Sequence, residues 1–279
     1  MLKYGFVLPT GDARIAADFA RAAEQAGWDG FFVWEPVWGI DAWVSLTAAA
    51  MQTNSIRLGT LLSPISRMRP WELASKTATL DNLSNGRVIV SVGLGAVDTG
   101  FEAFGEVTDR KTRAERVDEG LDILMGLWRG QPFNYDGKHY HVKETQFHPP
   151  PPPVQKPRIP IWMVGAWPSK KSMQRVMRCD GLLPAVMDGG KVRFGPPTGD
   201  ELRAMLAYVQ ANRTETTPFD IVMEGETPGQ DPARAAGIVR PWAEAGATWW
   251  NEARWQVPRN AEGLRLVHER ILQGPPRID

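Results

Sequence analysis

The chain alternates between short apolar runs and longer segments in which apolar residues recur every three or four positions. Lys3–Leu8 is such a run, and Asp12 then opens a segment with apolar residues at Ile15 and Phe19 that Gly27 ends. That spacing predicts a helix with one buried face, capped by the aspartate and terminated by the glycine. The N-terminal segment therefore predicts one strand followed by one helix.

The same strand–helix unit recurs along the whole chain. Its strands lack a clean in-and-out alternation, which indicates a parallel sheet covered on both faces. An open, doubly wound sheet is compatible with such units, but eight repeats with nothing left over favour one α/β domain, a (β/α)₈ TIM barrel over residues 1–279. The predicted strands are Lys3–Leu8, Gly30–Trp34, Ile56–Leu62, Val88–Val92, Ile159–Val164, Leu182–Val186, Phe219–Met223 and Ala247–Trp250.

Polar and proline residues mark where the later helices begin. Asp200 is the predicted cap of the sixth helix, and Asp231-Pro232 starts the seventh. Pro241 lies inside that seventh helix, where it predicts a kink or a restart.

Two segments interrupt the repeat. Ala96–Lys111 follows the fourth strand and is predicted to be a loop on the catalytic face. Residues 130–158 contain a hairpin pattern around Asp136-Gly137 and then a proline-rich stretch. A stiff connector is favoured over a ligand for aromatic grooves. As a helix-to-strand link, this insertion is expected on the face away from the chemistry.

Composition narrows the class of protein. Lys plus Arg equals Asp plus Glu at 32 each among 279 residues, so no net field favours nucleic acid or an anionic membrane. One cysteine, Cys179, excludes an internal disulfide. No signal peptide and no apolar stretch of the ~20 residues that span a bilayer is evident, so a cytoplasmic protein is expected.

In such a barrel the residues directly after the strands form the active site. Those positions contain no histidine, since the four histidines lie in the hairpin, the connector and the last helix: His139, His141, His148 and His268. We therefore expect no metal site and no Ser-His-Asp arrangement. Carboxylates follow several strands, and the pair Glu35 and Glu224 keeps a glycoside-hydrolase alternative open.

The segment from Gly165 to Ser169 is more informative, because it links a strand to a helix N-terminus beside Lys170 and Lys171. Free N–H groups and ammonium groups together favour an anion such as phosphate. Gly93-Leu94-Gly95 lacks the third glycine of a dinucleotide fingerprint, yet it permits close approach of a flat group. The predicted substrate pocket comprises Thr10, Trp38, Glu224, Glu252 and Trp255, with loop segments 97–104 and 187–194.

Ordered motifs over the whole chain resemble the luciferase-like flavin- or F420-dependent oxidoreductases. They include YGFVLP, AEQAGWDGFFVWEP, IRLGTLLSP, RPWELASKTATLDNLSNGRV, VGLG with a downstream FGE, PRIPIWMVGAWP, CDGLLP and AEAGATWW. The resemblance implies a luciferase-like barrel that orients a flavin-type cofactor.

The resemblance also implies site residues. Leu62, Ser63 and Pro64 match the turn behind the isoalloxazine ring, often with a cis peptide, which a Ser63-Pro64 bond adopts cheaply. Gly93 and Gly95 match residues close to the ring or its ribityl chain. Gly165, Ala166, Trp167 and Ser169 match the phosphate-binding turn. Many relatives place a histidine after the second strand; Glu35 stands in that region here and is the predicted catalytic acid or base.

Two mechanisms and one non-enzymatic alternative follow. Reduced FMN, supplied by a separate flavin reductase, would oxygenate a small organic substrate, or F420 would exchange a hydride with it. A carrier that binds flavin without turning it over is the third hypothesis. The resemblance further implies a homodimer.

Overall fold

Eight parallel strands close into a barrel. The computed structural model describes residues 1–278 of the protein. Within that range, each barrel strand pairs with the next, and β8 pairs with β10 to complete the ring. The barrel strands are β1 (Lys3–Leu8), β2 (Gly30–Val33), β3 (Arg57–Thr60), β4 (Val88–Val92), β7 (Ile161–Trp167), β8 (Gly181–Asp188), β10 (Asp220–Gly225) and β11 (Trp249–Ala253). The predicted fold is confirmed.

Helices cover the outside of the barrel between successive strands. They are α1 (Ala13–Gln25), α2 (Ala42–Gln52), α3 (Pro70–Leu83), α4 (Arg110–Arg129), α5 (Lys170–Val176), α6 (Gly199–Asn212), α7 (Pro232–Glu244) and α8 (Ala261–Leu272). Asp12 caps α1 as predicted, by accepting the N–H groups of Arg14 and Ile15 at 2.9 Å each.

One cap prediction was wrong. Thr198, not Asp200, caps α6, because its hydroxyl accepts the Glu201 N–H while the Glu201 carboxylate accepts the Thr198 N–H. This reciprocal capping box satisfies the amide groups of both residues. Helix α7 continues through Pro241, so it does not restart there, and the kink stays a prediction.

The insertion between α4 and β7 contains a short antiparallel hairpin, β5 (Tyr135–Asp136) with β6 (His141–Val142). Contrary to expectation, it does not stay on the far face. The Glu119 carboxylate accepts the N–H groups of residues 138–140 from the N-terminal half of α4. The Tyr140 hydroxyl donates to the carbonyl of Met68, in the loop after β3, at 3.2 Å. Only the proline-rich part stays at the opposite end, where Gln155 bonds Asp81 and the carbonyl of Val88.

An aromatic cluster fills the centre of the barrel. The rings of Phe32, Trp162 and Trp249 pack with centroids 5.2–6.0 Å apart, and all three are fully buried. This packing makes the lower barrel a solid core, so ligands have access only from the carboxyl ends of the strands.

A buried ion pair joins the last helix to the sheet. The Arg270 guanidinium on α8 lies 3.2 Å from the Glu252 carboxylate on β11, and both side chains are almost inaccessible to solvent. The Thr227 hydroxyl and the Gly274 carbonyl accept further hydrogen bonds from Arg270. A pair buried this deeply is costly to break, because the remaining charge cannot return to water.

We expect Arg270→Met to lower the free energy of unfolding by about 3–5 kcal/mol, because it leaves Glu252 charged and unpaired in the core. Urea denaturation measures the change. Arg265→Met on the same helix is the matched control, since Arg265 and Glu269 pair at the exposed surface; its effect should stay within about 0.5 kcal/mol. Equal effects of the two substitutions would contradict the buried pair's role.

Candidate functional site

The register of the strands decides which side chains face the barrel axis. In a closed eight-stranded barrel, inward side chains of alternate strands stack in layers of four. The uppermost two layers form what we call the mouth, and its members are Val7, Leu61, Val164 and Glu224, and above them Trp34, Gly93, Ala185 and Ala253. The mouth is the candidate site.

A non-proline cis peptide joins Leu61 and Leu62 at the end of β3. The Leu62 side chain is half-buried and approaches Gly93, where an added Cβ atom would lie 3.3 Å from Leu62 Cδ2 and 2.9 Å from Val164 Cγ2. Leu62, Gly93 and Val164 thus form one wall of the mouth with little side-chain bulk. The sequence placed the cis bond at Ser63-Pro64, which is not among the cis bonds of residues 1–278; the prediction was wrong by two positions.

Ser63 and Glu35 lie behind this wall and not in the mouth. Ser63 is fully buried, and its hydroxyl donates to Glu35 Oε2 at 2.5 Å. The Trp43 indole N–H on α2 donates to the same oxygen at 3.2 Å. Since Trp34 faces the axis, the next side chain along the chain points outward. The Glu35 carboxylate therefore lies on the α2 side of this wall, and its catalytic role stays a prediction.

Burial raises the pKa of Glu35, although the hydrogen bond from Ser63 and the positive charge of Arg67 oppose the shift. Outside the barrel wall, Glu35 lines a cavity of about 460 Å³ between the loop after β2 and α3. Trp38, expected in the substrate pocket, lines the same cavity. This cavity is separated from the mouth by the Leu62–Ser63 turn.

The opposite wall of the mouth carries a carboxyl group. Burial raises the pKa of Glu224, and a hydrogen bond from the Trp255 indole opposes the shift. The side chain still has solvent contact from the open mouth. Trp255 meets Trp34 edge-to-face at 6.2 Å, so both indoles lie beside Glu224. Glu224 and Trp255 are brought together as predicted.

Glu252 does not line the pocket. It points outward from β11 to Arg270 on α8 and is fully buried there. Alternation along the strand explains the error, because Glu252 follows the inward-facing Asn251. Thr10, at the end of β1, is half-buried.

The predicted phosphate turn is formed mainly by packing. At Gly165 a side chain would overlap Leu182 and contact Val176 of α5, so this glycine faces the helix and not the mouth. Ser169 caps α5 and accepts the Ser172 N–H at 3.4 Å. Ala166 is buried, Trp167 is half-buried, and the adjacent Lys170 and Lys171 are exposed. Phosphate binding at this turn stays a prediction.

The glycine and proline next to the mouth also have packing roles. Gly95 has φ +76°, and an added Cβ atom would lie 2.6 Å from Pro64 and 2.7 Å from Phe101. Pro64 is buried. Neither residue exposes a surface to the mouth, and each fixes the loop that follows its strand.

Exposed apolar side chains surround the mouth on three loops. Val97 and Phe104 follow β4, Val192 and Phe194 follow β8, and Trp255 follows β11. Phe194 is 98% exposed. Contact of several neighbouring apolar side chains with water is unfavourable, and it indicates an apolar partner or ligand. Among residues 1–278, no helix combines the length and apolar character needed to cross a membrane.

Comparison with known proteins identifies the family. The model of the luciferase-like monooxygenase family matches residues 5–241. An uncharacterized protein of Mycobacterium tuberculosis is 34% identical, over 67% of this chain and 73% of the relative. An F420-dependent glucose-6-phosphate dehydrogenase of Amycolatopsis mediterranei is 27% identical, over 88% of this chain and 90% of its own.

A solved structure agrees in fold. The coenzyme F420-dependent tetrahydromethanopterin reductase of Methanopyrus kandleri superposes with a TM-score of 0.74 at 16% identity, covering 96% of this chain and 98% of the other. With its closed barrel, its Leu61–Leu62 cis bond and a family match across most of its length, the chain belongs to the luciferase-like monooxygenase family and is an oxidoreductase.

Proposed function

We propose that the protein binds coenzyme F420 at the mouth and exchanges a hydride between it and a small organic substrate. The observation that carries the proposal is the Glu224 carboxyl group, the one ionisable side chain in the two mouth layers of the described chain. Hydride exchange at an alcohol or carbonyl carbon needs a partner that takes or gives the accompanying proton. The F420-dependent relatives support the choice of cofactor.

The residues of the mouth fit a planar cofactor. Leu62, Gly93 and Val164 offer an apolar wall, because Leu62 and Val164 occupy the space that a side chain at Gly93 would take. Ala166, Trp167 and Ser169, with Lys170 and Lys171, would hold the phosphate, since the first turn of α5 has free N–H groups there. When bound, the deazaflavin accepts or donates the hydride.

The protein's own groups control the proton. Desolvation raises the pKa of Glu224 above that of an ordinary carboxyl group although its side chain is exposed at the mouth, and a carboxyl group with a raised pKa is suited to proton exchange. The Trp255 indole donates a hydrogen bond to the Glu224 carboxylate and so orients it. Behind the opposite wall, Glu35 accepts from Ser63 and holds the turn that carries Leu62. Glu35 is thus a positioning residue in this proposal.

The same geometry ranks the alternative functions that the sequence left open. FMN has a similar ring and phosphate, so an FMN-dependent oxygenation with a separate flavin reductase remains the second candidate, and a homodimer remains compatible with the exposed apolar rim. A hydrolase using Glu35 and Glu224 is wrong, because Glu35 faces α2 from behind the wall. A carrier without activity is not supported, since the named relatives are enzymes.

Titration of the purified protein with F420 and with FMN, followed by visible absorbance and fluorescence quenching, tests the proposal. We expect micromolar or tighter binding of F420 and at least tenfold weaker binding of FMN, about 1.4 kcal/mol in binding free energy. Tighter binding of FMN would favour oxygenation instead. Binding of neither would overturn the proposed function.

Glu224→Gln should reduce the rate of hydride transfer by about 10²–10⁴-fold, the usual contribution of general acid–base catalysis. Because the pKa of Glu224 is raised, the wild-type rate of substrate oxidation should rise with pH through that pKa as the base ionises. The rate of the variant should lack this step. Glu226→Gln is the matched control, since Glu226 is exposed and pairs loosely with Arg254 at 3.7 Å; loss of rate in both variants would contradict the assignment.

Glu35→Gln should keep kcat/KM within about tenfold of wild type, because the side chain does not reach the mouth. Its effect on stability depends on pH. The raised pKa of Glu35 means that the folded state holds a proton which the unfolded state releases above its ordinary pKa, so wild-type stability falls as pH rises through the folded pKa.

The variant has no such ionisation, so its stability relative to wild type should increase between pH 4.5 and pH 8. Urea denaturation at both pH values measures the difference. A constant difference would contradict the assigned burial, and a hundredfold loss of kcat/KM would restore Glu35 to the active site.

A further inference from the structure

We infer that a recognition site for a neutral hydrogen-bonding group, at one end of the substrate, lies below the mouth. We call this site the throat and define it by Asn251 and Ser91, directly below Glu224 of the mouth. The inference rests on the proposed function and deepens it, since it names the class of substrate.

The throat holds polar atoms that have no partner. Asn251 and Ser91 are both fully buried. Within residues 1–278, neither amide atom of Asn251 nor the Ser91 hydroxyl makes a hydrogen bond. Each such group lowers the stability of the fold, and native proteins rarely keep several together without a reason.

The strand register brings these groups to one level of the barrel, with Asn251 and Ser91 on opposite sides of its axis. Asn251 on β11 is directly opposite Glu224 on β10 and Gly5 on β1. Ser91 on β4 faces the axis in the same layer of four as Asn251, with Phe32 and Leu183 as the other members. The Glu224 side chain belongs to the next layer up, which is open to the mouth. A group that descends past Glu224 therefore meets Asn251 and Ser91 next.

Gly5 keeps the Asn251 side chain inside the barrel. A side chain at Gly5 would overlap the Asn251 carboxamide and lie 2.7 Å from the Phe32 ring. Because Gly5 has no side chain, the carboxamide lies over the β1 backbone and can point along the axis. The unpaired Trp249 indole N–H lies deeper in the barrel, two layers below Asn251.

The chemistry of the throat selects a neutral ligand group. A carboxamide provides one acceptor and two donors, and a serine hydroxyl provides both functions. A charged group would lose its hydration without a counter-ion among these residues, and an anion would also be repelled by ionised Glu224. The walls above, Val7, Leu61 and Val164, are apolar, so the substrate class is an apolar body ending in an amide, carbonyl or hydroxyl group.

Three small probes of one shape test the inference: cyclohexanecarboxamide, cyclohexanecarboxylate and methylcyclohexane. Dissociation constants from ligand-observed NMR on the full-length protein should show the carboxamide binding at least tenfold tighter than the other two. Asn251→Leu should abolish this preference, while Glu226→Gln should preserve it. Equal binding of the three probes to wild type, or an unchanged preference in Asn251→Leu, would overturn the inference.

Ser91→Ala supplies a second test that does not require Asn251→Leu to fold. Removing an unpaired buried hydroxyl should raise Tm by about 2 °C and weaken carboxamide binding several-fold. A fall in Tm with unchanged binding would mean that internal water satisfies the throat, and would overturn the inference.

The two proposals fail separately. If F420 does not bind but the carboxamide preference is lost in Asn251→Leu, the throat stands and the proposed cofactor does not. If F420 binds and the preference is absent from wild type, only the throat is wrong.

Discussion

Closure of the parallel sheet is the constraint on which every other feature depends. The pairing of β8 with β10 fixes the stagger of all eight strands, and the stagger fixes which residue of each strand faces the axis. A side chain one position away faces a helix instead. On β11 this separates Asn251, which lies inside the barrel, from Glu252, which pairs with Arg270 on α8. In this fold, whether a side chain faces the site inside the barrel or a helix outside it thus alternates from one residue of a strand to the next.

That rule explains what the sequence could and could not predict. Apolar periodicity and capping residues are local signals, so the eight strands and their helices were predictable with end errors of a few residues. Side-chain direction beyond a strand end depends on the local backbone path. After β3, Leu62 lies at the mouth while Ser63 bonds Glu35 behind the wall, and no residue pattern announces this path of the backbone.

The candidate site shows the same division. Glu224 and Trp255 were found because both follow predicted strands, where barrel active sites are expected. Ser91 was missed because it lies within a strand, and Asn251, directly after the predicted eighth strand, was passed over for the carboxylate of Glu252, although a polar residue in an otherwise apolar strand is a signal in itself. Glu35 lies behind the wall because its neighbour Trp34 takes the inward position, and the carboxyl group of the mouth comes from another strand.

The hairpin of the insertion leaves the barrel at one end and is bound at the other. Its Tyr140 hydroxyl bonds the Met68 carbonyl in the loop after β3, while Glu119 of α4 holds its backbone. Helix α4 has 20 residues and is about 30 Å long, so the hairpin returns along much of that length. The insertion thus supports, from outside the barrel, the loop after β3 at the mouth. Evolution can therefore alter the shape of the rim through a segment that follows a helix and belongs to no strand-to-helix loop.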